Sequence, residues 1–138
     1  MNLAEELRAA ADRLRGLATA VPTEHWGSRP WHVEECSDTD TMESCLCIVA
    51  QGEYREFDQP QIPPVQYIAD AETREHAAYI AAMHPGVGTL LAQLLEIEAD
   101  VVAVRTAMDG TEDYALDGGS DYLLDIARLI NAATEATA

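Results

Sequence analysis

Residues 83–108 read MHPGVGTLLAQLLEIEADVVAVRTAM, and the interpretation of the whole fold starts from this stretch. Pro85 cannot continue a regular helix, but it suits the first turn of a new one. Beyond it, apolar residues recur at steps of three and four as far as Met108, which is close to a heptad repeat over three heptads. The pattern predicts one helix ending at about 84 and a long helix over about 86–108, stopped by Asp109–Gly110.

One face of this long helix is a candidate packing surface. Its apolar residues predict either packing within the monomer, against the first and last helices, or a homodimer. The sequence alone leaves both arrangements open, and we take the homodimer as the expectation. The face comprises Val87, Leu90, Leu91, Leu94, Ile97 and Val101.

The glycines at the start of the long helix raise the question of a phosphate-binding loop. A dinucleotide fingerprint needs G-x-G-x-x-G directly after a strand, whereas here the preceding segment is helical and the third glycine is missing. The chain also has no lysine. A helix N-terminus can hold an anion unaided, so the N–H groups of Gly86, Val87 and Gly88 form a candidate anion site.

The N-terminal residues 2–20 predict a helix. The apolar residues fall at alternating steps of four and three, which places them on one face: Leu3, Leu7, Ala10, Leu14 and Leu17. Asn2 is a suitable N-cap, and Glu5, three residues later, completes a capping-box pattern. Pro22 and the GSRP stretch at 27–30 end the helix and begin a connector.

The middle of the chain predicts β-structure. WHVEEC at 31–36 and VQYIAD at 65–70 alternate in polarity, and SCLCIVA at 44–50 is apolar on both faces, as in a central strand. We therefore expect an α+β fold in a single domain, 1–138. It has an N-terminal helix, a small antiparallel sheet of two to four strands over about 31–69, and three helices at about 71–84, 86–108 and 121–134, packed on one side.

The charge balance limits the partners. The chain has 25 Asp plus Glu against 8 basic residues, all arginine, and a net charge of −17. Such a chain repels phosphate backbones, so we expect no direct nucleic-acid binding. The acidity either keeps the protein soluble or docks it on a basic protein, for example one that normally binds DNA.

The expected location is the cytoplasm. No apolar run approaches the ~18 residues needed to span a membrane. Glu5 and Glu6 stand where a signal peptide would have basic residues.

Few residues suggest chemistry. His25, His32, His76 and His84 are the candidate general acids or bases, but none lies in a recognisable nucleophile motif. We expect no enzyme and no cofactor. One candidate metal set can be assembled, and it consists of His32, Cys36, Cys45 and Cys47. Its spacing argues against zinc, and the alternative is that the cysteines are small buried hydrophobes. The odd count and the cytoplasmic expectation argue against a disulfide framework.

Aromatic residues are concentrated in the predicted β-region. They form a core, or, if exposed together with the prolines at 60–64, a protein-binding patch. The candidate partner-binding residues are Trp26, Trp31, Tyr54 and Phe57.

Residues 65–101, VQYIADAETREHAAYIAAMHPGVGTLLAQLLEIEADV, resemble a segment of small proteins from actinobacterial tailed phages and prophages, and the best match covers about 65–100. The segment is similar to the lambda Ead-like early proteins. The shared pattern is a helix of the form A-x-Y-I-A-x-x-x-P followed by a leucine-rich helix. It is carried here by Ala78, Tyr79, Ile80, Ala81, Pro85, Leu90, Leu91 and Leu95.

The resemblance implies an accessory phage or prophage protein of the host-interaction kind, located in the host cytoplasm if it is phage-encoded. It transfers no catalytic residue. The chain departs from the pattern in its cysteine-rich strand, its proline-rich connector and its last helix. The expected function is therefore non-enzymatic binding of a host or phage protein, one form of which is an anti-defence inhibitor that mimics nucleic-acid charge. The alternatives are a protein that sequesters a signalling nucleotide and a structural virion or scaffold component.

Overall fold

The computed structural model describes residues 1–21, 31–35, 46–51 and 65–136. These ranges contain α1 (Leu3–Ala20), β1 (His32–Glu35), β2 (Leu46–Gln51), β3 (Val65–Ala71), α2 (Arg74–Ala82), α3 (Pro85–Asp109) and α4 (Ser120–Ala136). The chain divides into two compact units. Met1–Ala18 and Gly88–Ala138 form the helical unit, and Thr19–Val87 form the sheet unit.

The core of the helical unit is made of small and medium-sized apolar side chains. Leu7 of α1 and Leu95 and Val102 of α3 are fully buried. They pack with buried alanines on all three helices, among them Ala10 and Ala127. Because the separation of packed helices depends on the side chains between them, alanines at the contacts let the backbones approach closely.

Polar bonds connect α1 to α4 at the edge of this core. Arg13 Nη1 donates to the carbonyl of Asn131 at 2.8 Å, and Asn131 Nδ2 donates to the carbonyl of Glu6 at 3.2 Å. Arg128 Nε donates to Glu6 Oε2 at 2.9 Å, and this bond raises the pKa of Arg128. Asn131 is buried, so these bonds satisfy polar atoms that would otherwise be costly to bury.

The predicted capping box begins α1. Glu5 N–H donates to Asn2 Oδ1 at 2.9 Å, and Asn2 N–H donates to Glu5 Oε2 at 2.9 Å. The carboxylate of Glu112 accepts from Leu3 N–H at 2.7 Å. Three donors that the helix itself cannot pair are thus satisfied, which confirms the prediction made from Asn2 and Glu5.

The long helix α3 also begins and ends where the sequence indicates. Pro85 is its first residue. It ends at Asp109, and Gly110 follows with φ +74°, a left-handed conformation that glycine adopts without strain. Gly110 N–H donates to the carbonyl of Thr106 at 2.8 Å.

The sheet unit contains three antiparallel strands in the order β1-β2-β3. Val33 is opposite Ile48, and Leu46 is opposite Ala71, with a register shift between Ile48 and Val49. The helix α2 packs on this sheet through Ala77 and Ala81, around the fully buried Ile48. Strand β2 lies in the centre, as its apolar sequence predicts.

The helix α2 begins later than predicted. Its expected start at 71 is wrong because Ala71 still pairs with Leu46 in the sheet. Thr73 is the N-cap, and its hydroxyl accepts from His76 N–H at 3.1 Å. A backbone already paired in a ladder cannot enter a helix, so the helix begins only after the cap.

The predicted α+β fold, with an N-terminal helix and three later helices, is confirmed. Within the sheet unit, α2 packs on the sheet. The helices α1, α3 and α4 form the helical unit, so their predicted packing on the sheet and the single domain 1–138 both stay predictions. The predicted loop and connector at 37–43 and 52–64 lie outside the described residues.

Candidate interaction surface

The helix α3 is apolar on two opposite faces. Its inner face, formed by Ala92, Leu95, Ala99 and Val102, is buried in the core of the helical unit. Its outer stripe consists of Val87, Leu90, Leu94, Ile97, Val101, Val104 and Met108. Six members of the stripe are exposed, and Val101 is half-buried. An apolar stripe of a surface helix normally faces a packing partner, whereas the described residues leave most of this one exposed.

The spacing of the outer stripe is a strict heptad repeat. Its steps alternate between three and four residues from Val87 to Met108, which corresponds to the two core positions of a coiled coil over three heptads. At 1.5 Å per residue the stripe is about 31 Å long. Its geometry therefore suits a second helix lying alongside it.

The sequence placed most of this surface correctly on the helix. Of the predicted packing residues, Val87, Leu90, Leu94 and Ile97 are exposed. Leu91 instead packs against the core of the helical unit. Internal packing, one of the two predicted roles, is thus present on this helix through Leu91. Whether a partner covers the exposed part stays a prediction.

One border of the stripe carries carboxylates that are already paired. Arg8 of α1 donates to Asp100 at 2.9 Å, and Arg15 of α1 donates to Glu96 at 2.6 Å. Arg15 also pairs with Asp12 at 3.2 Å. On the α1 side of the stripe, two arginines thus neutralise most of the charge of three carboxylates, although the whole chain is strongly acidic.

The other border lies toward the start of α4. Arg105 donates to Asp117 at 2.8 Å and to the carbonyl of Ala115 at 3.2 Å. The buried Ser120 hydroxyl bonds to Glu98 and lies 3.0 Å from Asp117 Oδ1. The bonds from Arg105 first, and then from Ser120, hold the pKa of Asp117 below its ordinary value of 3.8.

These charged borders were not predicted from the sequence. Arg8 and Arg15 are seven residues apart on α1, while Glu96 and Asp100 are four apart on α3. Both spacings place like charges on one helix face, which is the signal that could have been used. The sequence does not predict, however, that this face of α1 lies against this face of α3.

The candidate anion site lies at the start of α3, where two of its donors are engaged. Gly86 N–H donates to His84 Nδ1 at 2.9 Å, and Val87 N–H donates to the carbonyl of His84 at 2.8 Å. His84 therefore acts as the N-cap of α3. The imidazole also meets Trp31 edge-on, with ring centroids 5.5 Å apart. An anion would have to displace these bonds from His84.

The predicted aromatic patch is only partly described. Trp31 packs against the core of the sheet unit and is half-buried, so much of its surface serves packing. Trp26, Tyr54 and Phe57 lie outside the described residues. Their grouping into one patch stays a prediction.

The candidate metal set is also divided. His32 Nε2 lies 2.8 Å from Glu34 Oε1, while Cys36 and Cys45 lie outside the described residues. Cys47 is disulfide-bonded, although the odd count and the expected location argued against a disulfide framework. An odd count of cysteines excludes only that all three are paired. Within the described ranges, no three His, Cys, Asp or Glu side chains are placed to hold a metal ion.

The candidate acid–base residues are separate in the structure. His25 lies outside the described residues, His76 is exposed on α2, and His32 and His84 have the contacts given above.

None of the described helices has the length and apolar character required to cross a bilayer. No family model, curated protein or solved structure matches the chain.

Proposed function

We propose that this protein is a non-enzymatic binding protein that works as a homodimer closed by the outer stripe of α3. The observation that carries the proposal is the strict heptad spacing of seven apolar side chains, six of them exposed, along one helix. Singly exposed apolar residues are normal on a protein surface, whereas a continuous row indicates an interaction site.

The size of the stripe suits a dimer of moderate strength. Fully burying a Val, Leu, Ile or Met side chain stabilises by about 1.5–3 kcal/mol, and covering a half-exposed one gives about half of that. Two copies contribute seven such residues each. Because association costs about 4–15 kcal/mol, we expect a roughly micromolar dissociation constant rather than a nanomolar one.

A matched pair of substitutions tests the dimer. Leu90 in the stripe is 67% exposed and Leu129 on α4 is 72% exposed, so Leu→Asn at either site changes a similar exposed surface. We expect Leu90→Asn to shift the dimer–monomer midpoint by at least tenfold in concentration-series light scattering. Leu129→Asn should leave it unchanged. The proposal is contradicted if both variants shift the midpoint equally. It is also contradicted if the wild type stays monomeric at protein concentrations up to about 100 times the expected dissociation constant.

The proposed partner of the dimer is a basic protein, for example one that normally binds nucleic acid. The support is the net charge of −17, which favours steering toward a positive surface. Electrostatic steering weakens as salt screens it, so capture from host lysate should be strong at about 0.05 M salt and weak at about 0.5 M. A set of captured proteins that does not change with salt would argue against this partner class.

A phage or prophage accessory role in the host cytoplasm rests on the resemblance over 65–100. The disulfide at Cys47 counts against that location, because the cytoplasm keeps most thiols reduced. A structural virion or scaffold role predicts copurification with particles. The small-ligand alternative has less support, because the N–H groups of Gly86 and Val87 already donate to His84.

A further inference from the structure

We propose that the two copies of α3 run parallel and in register along the outer stripe, so that each stripe residue faces its own counterpart. This inference rests on the proposed homodimer. It adds the direction of the second helix and the charged residues that meet across the interface between the two outer stripes.

The borders of the stripe favour a second copy over a basic helix as the occupant. Asp100 and Glu96 already pair with Arg8 and Arg15, and Glu98 bonds to Ser120. A basic helix would gain less from these paired carboxylates than from unpaired ones, whereas a second copy brings an apolar stripe of the same length. A second copy, although it also carries −17 overall, meets borders where arginines neutralise most of the carboxylate charge.

The heptad positions assign the flanking residues. With Val87 at the first core position, a, the stripe occupies positions a and d. Asp100 is then at g and Arg105 at e. In a parallel pair, position g of one helix lies beside position e of the next heptad on the other. Asp100 of each copy therefore lies beside Arg105 of the other, which gives two opposite-charge pairs.

Arg105 can take part in such a pair without losing its present bonds. Its guanidinium has five N–H donors, and the bonds to Ala115 and Asp117 engage two of its nitrogens. Asp100 is strongly exposed, so its carboxylate is accessible to a second donor beside Arg8. The parallel arrangement adds ion pairs without requiring either residue to leave the monomer's network.

The antiparallel arrangements are less favourable. In one antiparallel register, residue 94 of one copy faces residue 104 of the other. This register places Glu98 beside Glu98 and Asp100 beside Asp100, and like charges that face each other oppose association. The other register brings no opposite charges together and leaves Met108 uncovered. Met108 is 80% exposed in the monomer, so that register also covers less apolar surface.

Cysteine cross-linking distinguishes the arrangements. Val104→Cys or Val87→Cys alone should form a disulfide-linked dimer under mild oxidation if the helices are parallel, because each position meets itself. In either antiparallel register, the two copies of residue 104 are about 15–25 Å apart along the axis, given a rise of 1.5 Å per residue. The cross-linked fraction is compared on a non-reducing gel with wild type, which carries three native cysteines, and with Leu129→Cys. Circular dichroism confirms that each variant is folded.

The expected result is a several-fold increase for Val104→Cys and Val87→Cys, each alone, over both controls. Cross-linking only in mixtures, of Val87→Cys with Val104→Cys or of Leu94→Cys with Val104→Cys, overturns the parallel orientation and leaves the proposed dimer intact. A dimer by light scattering with no stripe cross-link in any combination overturns the stripe as the interface. A monomer at all concentrations overturns the proposed function together with this inference.

Discussion

The inner face and the outer stripe of α3 lie on the same helix and have nearly the same heptad spacing, yet among the described residues only the inner face is covered. Leu95 on the inner face is fully buried, whereas its neighbour Leu94 on the outer stripe is 47% exposed. The inner face alternates alanines with larger residues, which suits close packing against α1 and α4. The outer stripe consists only of leucine, isoleucine, valine and methionine, and it contains no alanine or glycine.

This difference teaches that spacing alone does not say what covers a helix face. Two apolar faces on one helix require two partners, and the described part of the chain supplies only one of them. The charges support the same division, because the arginines at the borders bond to neighbouring elements of the monomer and leave the stripe itself uncharged. The inner face therefore serves stability, and the outer stripe serves the proposed association.

The largest expected effect comes from truncating the two adjacent leucines. Leu95→Ala should lower the free energy of unfolding by about 2–5 kcal/mol, because it opens a cavity in a packed core. Leu94→Ala should cost much less in the monomer, since its side chain is half in water, and should instead weaken dimerisation. Urea unfolding at protein concentrations well below the dimer midpoint measures the first effect, and light scattering the second. Similar unfolding costs for both variants would break the distinction between the two faces.

Local signals in the sequence predict much of this fold. The capping box at Asn2 and Glu5, the proline at 85 and the glycine at 110 each act within a few residues. Chemistry at that range can be read without knowing the rest of the fold. The same holds for the heptad spacing of the stripe, which depends only on helix geometry.

The parts that were missed depend on long-range contacts. The extension of β3 to Ala71 needs the pairing with Leu46, which is 25 residues away in sequence. The charged borders can be predicted only when it is known that α1 packs beside α3. The N-cap role of His84 was missed because this histidine was considered as a general acid or base. The division into inner face and outer stripe could not be predicted for the same reason, since burial is a property of the assembled unit.

A smaller effect on the free energy of unfolding is expected from substituting the two glycines at the start of α3, Gly86 and Gly88. Gly88 belongs to the helical unit. A Cβ at Gly88 would lie 3.6 Å from Leu14 Cδ1, an ordinary contact, so Gly88→Ala should stabilise by about 0.5–1 kcal/mol through helix propensity. A Cβ at Gly86 would lie 2.9 Å from His84 Nδ1, so the imidazole would have to move and the cap would be lost.

The loss of a cap costs about 0.5–2 kcal/mol, which offsets the gain in propensity. Gly86→Ala should therefore be neutral or destabilising in chemical unfolding. A control is the double variant His84→Ala with Gly86→Ala, in which the second substitution should recover its full benefit. If Gly86→Ala stabilises as much as Gly88→Ala, the assignment of His84 as the cap is wrong.

The smallest effect concerns Asp117, which bonds to Arg105 at the border between the two faces. Its pKa is lowered in the folded state, chiefly by Arg105, so the unfolded chain binds the proton more readily. The stability it contributes is fully present above pH ~3.8 and is lost as the pH falls through the lower folded pKa. Asp117→Asn should therefore be less stable than wild type at neutral pH, and the gap should close under acid conditions. Asp113→Asn removes an exposed carboxylate from the same loop and is the control for the loss of one negative charge. Because Asp117 is exposed to solvent, salt should shrink the difference as well, which separates an ion pair with Arg105 from a purely steric effect of the substitution.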